Sequence, residues 1–325
     1  MLIIWLIVLI ISMFLLIKAA GYFTDSAEKI GVYFGMPAFI VGVTIVAIGT
    51  SLPELLTSIL AVLRGSSEIV VGNVIGSNIT NILLVLGVAI VFAKKTIKVG
   101  HTSFKIDSPI LIASAILLFI MLWDRVFTLI EAIIFIICMI LYWYYSYYMI
   151  KKHKDNILKK ELRKEIKEVK SEIKKGSLGA KTWIILILSA ALIYLGARFT
   201  VESVVNLSLL LGIGTEIIAA SVVALGTSLP ELTVSVMAMR KNKHEIALGN
   251  ILGSNIFNTF AVMGIPALFG TLIIPLNMLS FGLPVMLIAT LLYFFITNDR
   301  KIRKWEGWLL LAFYLIFLFK LFNLF

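Results

Sequence analysis

Apolar residues in this chain do not alternate with polar ones but fill long runs separated by short polar stretches. A membrane-crossing helix needs about 20 mostly apolar residues. Ten runs approach or exceed that length: about 2–23, 36–63, 68–92, 107–123, 127–150, 181–204, 213–239, 245–270, 275–297 and 305–324. Several exceed one bilayer thickness, which leaves room for tilt or an internal break. The pattern predicts an all-α integral membrane protein with ten spans. The first run has no basic stretch ahead of it, so it reads as a mature helix and not as a cleaved signal peptide. Composition agrees: hydrophobic residues make up 60% of the 325 and charged residues only 14%, with mean hydropathy +1.04. A soluble domain carries about 25% charged residues.

Charge then orients the spans. The chain has 29 Lys and Arg against 18 Asp and Glu, a net +11. Such a balance can mark a nucleic-acid binder, but here position decides. With the N-terminus outside, 25 of the 29 basic residues fall on the inner side and 4 on the outer. That is the asymmetry expected of cytoplasmic loops. Both termini are therefore expected outside a plasma membrane, the basic loops facing anionic lipid heads, with no role for nucleic acid. The one long polar segment, 151–177, is read as a basic cytoplasmic linker. Within it Ile157, Leu158, Leu162, Ile166, Val169 and Ile173 recur at helical spacing, which suggests an amphipathic helix along the inner surface. Cys138, the sole cysteine, excludes an intramolecular disulfide and CxxC metal schemes.

The chain also repeats itself. Residues 49–55 and 226–232 both read GTSLPEL, while 72–81 read GNVIGSNITN and 249–258 read GNILGSNIFN. Both pairs are separated by 177 positions. Five spans per copy is an odd number, so the copies enter the membrane from opposite sides, a plan common in secondary transporters. This divides the chain into a first five-helix repeat (1–150), the linker (151–177) and a second five-helix repeat (178–325).

The repeated residues are polar ones in apolar helices. Glu54 and Glu231 fall mid-span, where a carboxylate is costly unless it meets a partner or a wet cavity. No Lys or Arg lies inside either span to neutralise them. A cation from solution, or a proton, would. Pro53 and Pro230 lack the N–H that would bond the carbonyls of Gly49 and Gly226, so both helices are expected to be kinked or broken just before the glutamate. Free carbonyls at that depth would be oxygen ligands for hard cations. Thr50 and Ser51 precede Glu54 by four and three residues and share its face, as Thr227 and Ser228 do for Glu231. Asn73, Ser77 and Asn81 form an i, i+4, i+8 stripe that Asn250, Ser254 and Asn258 repeat. Gly72, Gly76, Gly249 and Gly253 offer small faces for close backbone approach. All donors in this set are oxygens, and His101, His153 and His244 lie in inner loops. Soft metals are disfavoured and Ca2+ and Na+ favoured.

At these motifs the sequence resembles the cation/calcium exchanger superfamily, and within it the prokaryotic type of the sodium/calcium exchanger family. The resemblance covers essentially the whole chain. It implies that Glu54 and Glu231 are the central calcium ligands, shared with sodium. It further implies hydroxyl or backbone roles for Thr50, Ser51, Thr227 and Ser228, and carbonyl roles for Ala47 and Ala224. Ser77 and Ser254 would line sodium subsites, and Asn81 and Asn258 the middle of the pocket. Spans 1 and 6 would slide across the core to alternate access. Some members carry an aspartate where this chain has Asn258, and its absence argues against potassium dependence. Proton-coupled relatives resemble GNA-x-E in the broken helix, whereas this chain looks like the sodium-coupled type.

The expectation is a secondary active antiporter exchanging Ca2+ for Na+ at a midplane site. It is not an enzyme, needs no cofactor and functions as a monomer. A Ca2+/H+ antiporter using the same pocket is the alternative. An intramembrane phosphatase is remote, because phosphate chemistry would want Arg or Lys beside the acids. A cation channel is the other remote reading.

Overall fold

The computed structural model describes residues 2–34, 36, 38–63, 65, 67–94, 96–98, 107–152, 180–210, 226, 228–299 and 301–321. Among the described residues, seven helical segments are long and apolar enough to cross a membrane: Leu2–Gly31, Ala38–Leu63, Glu68–Phe92, Leu129–Ser146, Ala180–Phe199, His244–Ala267 and Met278–Asn298. The amphipathic helix expected within 151–177 falls outside the described residues, apart from the end of α7, as does most of the first half of the expected span 213–239.

In chain order the elements are α1 (Leu2–Tyr33), α2 (Ala38–Val41), α3 (Ala47–Leu63), α4 (Glu68–Thr80), α5 (Leu86–Phe92), β1 (Ile97–Lys98), α6 (Ser108–Met121), β2 (Val126–Phe127) and α7 (Leu129–Lys152). They continue with α8 (Ala180–Leu210), α9 (Leu229–Arg240), α10 (His244–Phe257), α11 (Met263–Ala267), β3 (Leu272–Ile273), α12 (Leu283–Asn298), β4 (Lys301–Ile302) and α13 (Lys304–Leu321). Wide π turns at Gly42–Val46, Asn81–Val85 and Asn258–Val262 join α2 to α3, α4 to α5 and α10 to α11. A fourth, Met278–Gly282, leads into α12.

Burial sorts the helices into a core and a shell. The most apolar stretch of His244–Ala267 is wholly buried, whereas only 17% of the residues in that of Leu2–Gly31 are buried. The exposed face of α1 is Ile3, Ile7, Ile10 and Phe14, side chains suited to lipid tails. α1 lies along α8 for much of its length, and Gly196 brings the α8 backbone against Leu16.

Two pairs of short strands, which hydropathy did not foresee, tie loops together. β1 pairs antiparallel with β4 through Ile97–Ile302 and Lys98–Lys301. β2 pairs with β3 through Val126–Ile273 and Phe127–Leu272. The Ile273 N–H also donates to Ser67 Oγ at 3.2 Å. The loops joined in each case are those that the basic-residue asymmetry assigns to one membrane face.

One expectation is corrected. The second span is not broken at Pro53: α3 runs helically through the proline from Ala47 to Leu63. The irregularity sits earlier, in the π turn Gly42–Val46. A proline deletes one hydrogen bond but leaves the helical backbone available when packing holds it. Phe23 of α1 supplies such packing, since its ring would lie 2.5 Å from a Cβ added to Gly49.

Candidate functional site

α3, α4, α9 and α10 place the repeated motifs side by side in the core. Glu54 is 1% exposed and Glu231 0%. They sit in different backbone settings. Glu54 lies in the middle of α3, whereas Glu231 occupies the first turn of α9, where Ser228 precedes the helix and Pro230 opens it. A first turn offers unpaired N–H groups and the positive end of the helix dipole to a carboxylate.

The halves meet through their side chains. Ser51 Oγ donates to Glu231 Oε1 at 2.8 Å, and Glu54 lies within electrostatic reach of Glu231. Thr50 Oγ1 donates to Asn250 Oδ1 at 3.1 Å and stands 3.5 Å from Ser254 Oγ. It also lies 3.3 Å from the carbonyl of Ala47. Each glutamate is braced from the neighbouring helix in the same manner. Asn73 Nδ2 donates to Ser58 Oγ at 3.1 Å and to the Glu54 carbonyl at 3.3 Å. Asn250 Nδ2 donates to Ser235 Oγ at 2.9 Å and to the Glu231 carbonyl at 3.5 Å. Ser77 Oγ reaches Asn73 Oδ1 at 3.5 Å.

Buried polar atoms are nearly always hydrogen-bonded, and an exception calls for a cause. Here exceptions cluster. Glu54 Oε2, Glu231 Oε2, Ser228 Oγ, Asn81 Oδ1, and both Oδ1 and Nδ2 of Asn258 are buried without a partner among the described residues. Asn81 and Asn258 each open a π turn, a distortion frequent at functional sites. No Lys or Arg nitrogen among the described residues lies within ion-pair distance of either glutamate. The arrangement is two carboxylates surrounded by neutral oxygens with free lone pairs, which suits a hard cation. A cleft of about 180 Å3, lined by Gly49, Thr50, Pro53, Ala190, Tyr194 and Pro230 among others, opens beside it.

Of the residues singled out from sequence, Glu54, Glu231, Thr50, Ser51, Ser254 and Ala47 are thus drawn together. Ser228 Oγ, Asn81 Oδ1 and both side-chain amide atoms of Asn258 are buried without a hydrogen-bond partner among the described residues. Ala224 and Thr227 lie outside the described residues. Two asparagines were passed over. Asn78 Oδ1 and Asn255 Oδ1 are also buried without partners among the described residues, at positions 177 apart. Asn78 Nδ2 donates to Thr259 Oγ1 at 3.1 Å, across the halves. The signal was present in the GSN tripeptide, whose asparagine recurs in both copies.

The chain is similar to known proteins over most of its length. The profile described as "Sodium/calcium exchanger protein" matches residues 4–148 and 181–323. The chain belongs to the sodium/calcium exchanger family. Its relatives in that family include the sodium/calcium exchanger MaX1 of Methanosarcina acetivorans, 35% identical over 97% of each chain. The inner membrane protein YrbG of Escherichia coli is 30% identical over 80% of this chain and 78% of its own. A solved structure of the sodium–calcium exchanger NCX_Mj, soaked with Na+ and Ca2+, superposes with a TM-score of 0.79 at 29% identity, covering 97% of this chain and 98% of that one. This exchanger is accordingly a multi-pass membrane transporter and not an enzyme.

A second cluster lies where α1 meets the turn between α9 and α10. Lys241 Nζ and Lys243 Nζ each approach Asp25 at 2.6 Å, and Lys243 also reaches Glu28 at 2.6 Å. Lys241 donates further to the Gly21 carbonyl at 3.0 Å. Burial alone would lower the Lys243 pKa, but the hydrogen bonds and charges of Asp25 and Glu28 outweigh it and raise the value. The cluster clips the lipid-facing α1 to the core.

Proposed function

We propose that this protein exchanges Ca2+ for Na+ at a single site between the two motif copies. Glu54 and Glu231 supply the charge that balances one Ca2+. Thr50, Ser51, Ser77, Asn81, Thr227, Ser228, Ser254 and Asn258, with the Ala47 and Ala224 carbonyls, complete the ligand oxygens for Ca2+ or for Na+ in smaller subsites. The observation that carries this reading is the pair of buried carboxylates, each with an oxygen that has no partner, and neither with a basic neighbour, among the described residues. One pocket cannot hold both loads at once, and mutually exclusive occupancy is the physical basis of exchange.

The fold reading that accompanies it is ten spans in two inverted five-helix repeats, divided at 1–150, 151–177 and 178–325, with both termini outside a plasma membrane. Two features support it. The Asn73–Ser58 and Asn250–Ser235 bonds span the same 15 residues. The loops tied by β1–β4 and those tied by β2–β3 fall on opposite sides of the basic-residue division. Cysteines placed at Arg125 and Lys301 in a Cys138→Ala background should label from outside and inside respectively. Labelling from one side would end the topology.

The functional test uses proteoliposomes. A Na+ gradient should drive Ca2+ uptake while a pH gradient of the same size, without Na+, should not. Equal uptake under the pH gradient alone would replace this reading with Ca2+/H+ exchange.

A further inference from the structure

Away from the ion site, β1 and β4 close over a cavity of about 460 Å3 lined by Ile90, Lys94, Thr96, Ile97, Ile302, Arg303 and Lys304. Three of these seven side chains are cationic and one is a hydroxyl. Among the described residues none of the three cations has a carboxylate within ion-pair distance. The acids nearest in sequence, Asp299 and Glu306, do not line the cavity. Glu306 is engaged elsewhere, since its Oε2 accepts from the Arg303 backbone N–H at 2.5 Å, at the start of α13. Glu306 thus holds the Arg303 backbone, and among the described residues the Arg303 guanidinium has no ion-pair partner.

The other wall is apolar. Ile97 and Ile302 are 0% and 1% exposed and Ile90 is 1% exposed. The cavity thus joins a charged mouth to the hydrocarbon ends of α5 and α13. On the outer surface of those ends Phe92, Trp305 and Trp308 are 54%, 58% and 61% exposed. Exposed tryptophans beside basic residues mark the headgroup level of a bilayer.

We propose that this cavity binds the phosphate of an anionic phospholipid, with Lys94, Arg303 and Lys304 on the phosphate and the Thr96 hydroxyl as a further donor. An arginine fork and two ammonium groups match the oxygens of a phosphate. The half-apolar wall and the aromatic fringe favour a lipid over a free anion, because they give the glycerol and upper acyl carbons a place to lie. The lipid would also bridge the loop after α5 to the loop before α13, reinforcing β1–β4. Nothing in this depends on which ions are exchanged at Glu54 and Glu231.

Native mass spectrometry of the full-length protein, with phosphatidylglycerol or phosphatidylcholine added, tests the site. Phosphatidylglycerol should stay bound at collision energies that strip phosphatidylcholine. Lys94→Gln/Arg303→Gln/Lys304→Gln should weaken its retention by about tenfold or more, since each basic residue near an anionic surface contributes appreciably. Lys18→Gln/Lys29→Gln/Lys181→Gln, which removes three charges elsewhere, should not. Lys94→Arg/Lys304→Arg keeps the charge and should retain the lipid, which separates loss of the site from loss of the fold. Equal retention of the two lipids, or equal losses in the two triple variants, overturns the proposal. Displacement of the lipid by millimolar inorganic phosphate or glycerol phosphate also overturns it, in favour of a soluble-anion site.

Discussion

The two copies of the GTSLPEL motif are identical in sequence yet are held differently. Glu54 stands within a continuous helix, while Glu231 stands in the first turn of one. Ser51 donates to the opposite glutamate at 2.8 Å, whereas Ser228, its counterpart, is buried with no partner among the described residues. What the copies share is the layer behind them, where Asn73 and Asn250 each grip a serine and a glutamate carbonyl. A duplicated sequence therefore yields a symmetric frame around an asymmetric pair of carboxylates. An asymmetric pair is suited to alternating access, since interchanging the environments of the halves is a change of state.

The largest expected effect falls on the feature that the halves have in common. Glu54→Gln and Glu231→Gln should each reduce Na+-driven Ca2+ flux in proteoliposomes by about 100-fold or more, because ligand charge sets Ca2+ affinity. Near-normal flux in either variant would mean that only one half carries the site.

Close packing between the halves comes next. A Cβ added to Gly253 would lie 2.5 Å from the Val43 carbonyl oxygen and 2.8 Å from the Ala47 Cβ. Gly253→Ala must push α10 off the π turn that precedes α3, at a cost of about 1–3 kcal/mol. Thermal unfolding in detergent should show the loss, and an unchanged melting temperature would contradict the close approach.

Ser51→Ala and Ser228→Ala sharpen the asymmetry itself. Hydrogen bonds to charged groups contribute about 1.5–3 kcal/mol. Removing the Ser51 bond should therefore change the apparent Ca2+ affinity by about tenfold or more, and Ser228→Ala by distinctly less. Equal effects in competition assays would place the two serines on the same footing.

The smallest effect concerns the clip on α1. Asp25 is 40% exposed at its side chain, and such pairs contribute about 0.2–1 kcal/mol. Asp25→Asn should lower the melting temperature by about 1–2 °C and leave Glu54 and Glu231 untouched. The Lys243 share is complete below its unfolded pKa of about 10.4 and is lost only as pH rises through the raised folded value. A clip that dissolves between pH 7 and 9 would contradict this geometry.

Much of the candidate site, as a cluster of buried polar side chains, was legible beforehand for a specific reason. Polar residues are expensive in an apolar span, so Glu54, Glu231, Asn81 and Asn258 stood out against their neighbours. Asn78 and Asn255 were missed because they lie off the stripe that Asn73, Ser77 and Asn81 define, and only packing shows that their oxygens end without partners among the described residues. Of the kink or break expected at Pro53, the break is absent, since α3 runs through it from Ala47 to Leu63 and Phe23 packs beside Gly49 from a helix remote in sequence.

From its residues alone this protein was bound to a membrane, to a duplicated pair of motifs and to polar side chains within apolar spans, because hydropathy and repeated polar positions are local and additive. The tertiary structure decided which hydroxyl reaches which carboxylate, which helix continues through its proline and which basic loops converge at β1 and β4. Those outcomes turn on contacts of a few ångströms between segments 200 or more residues apart, and no periodicity along the chain encodes them.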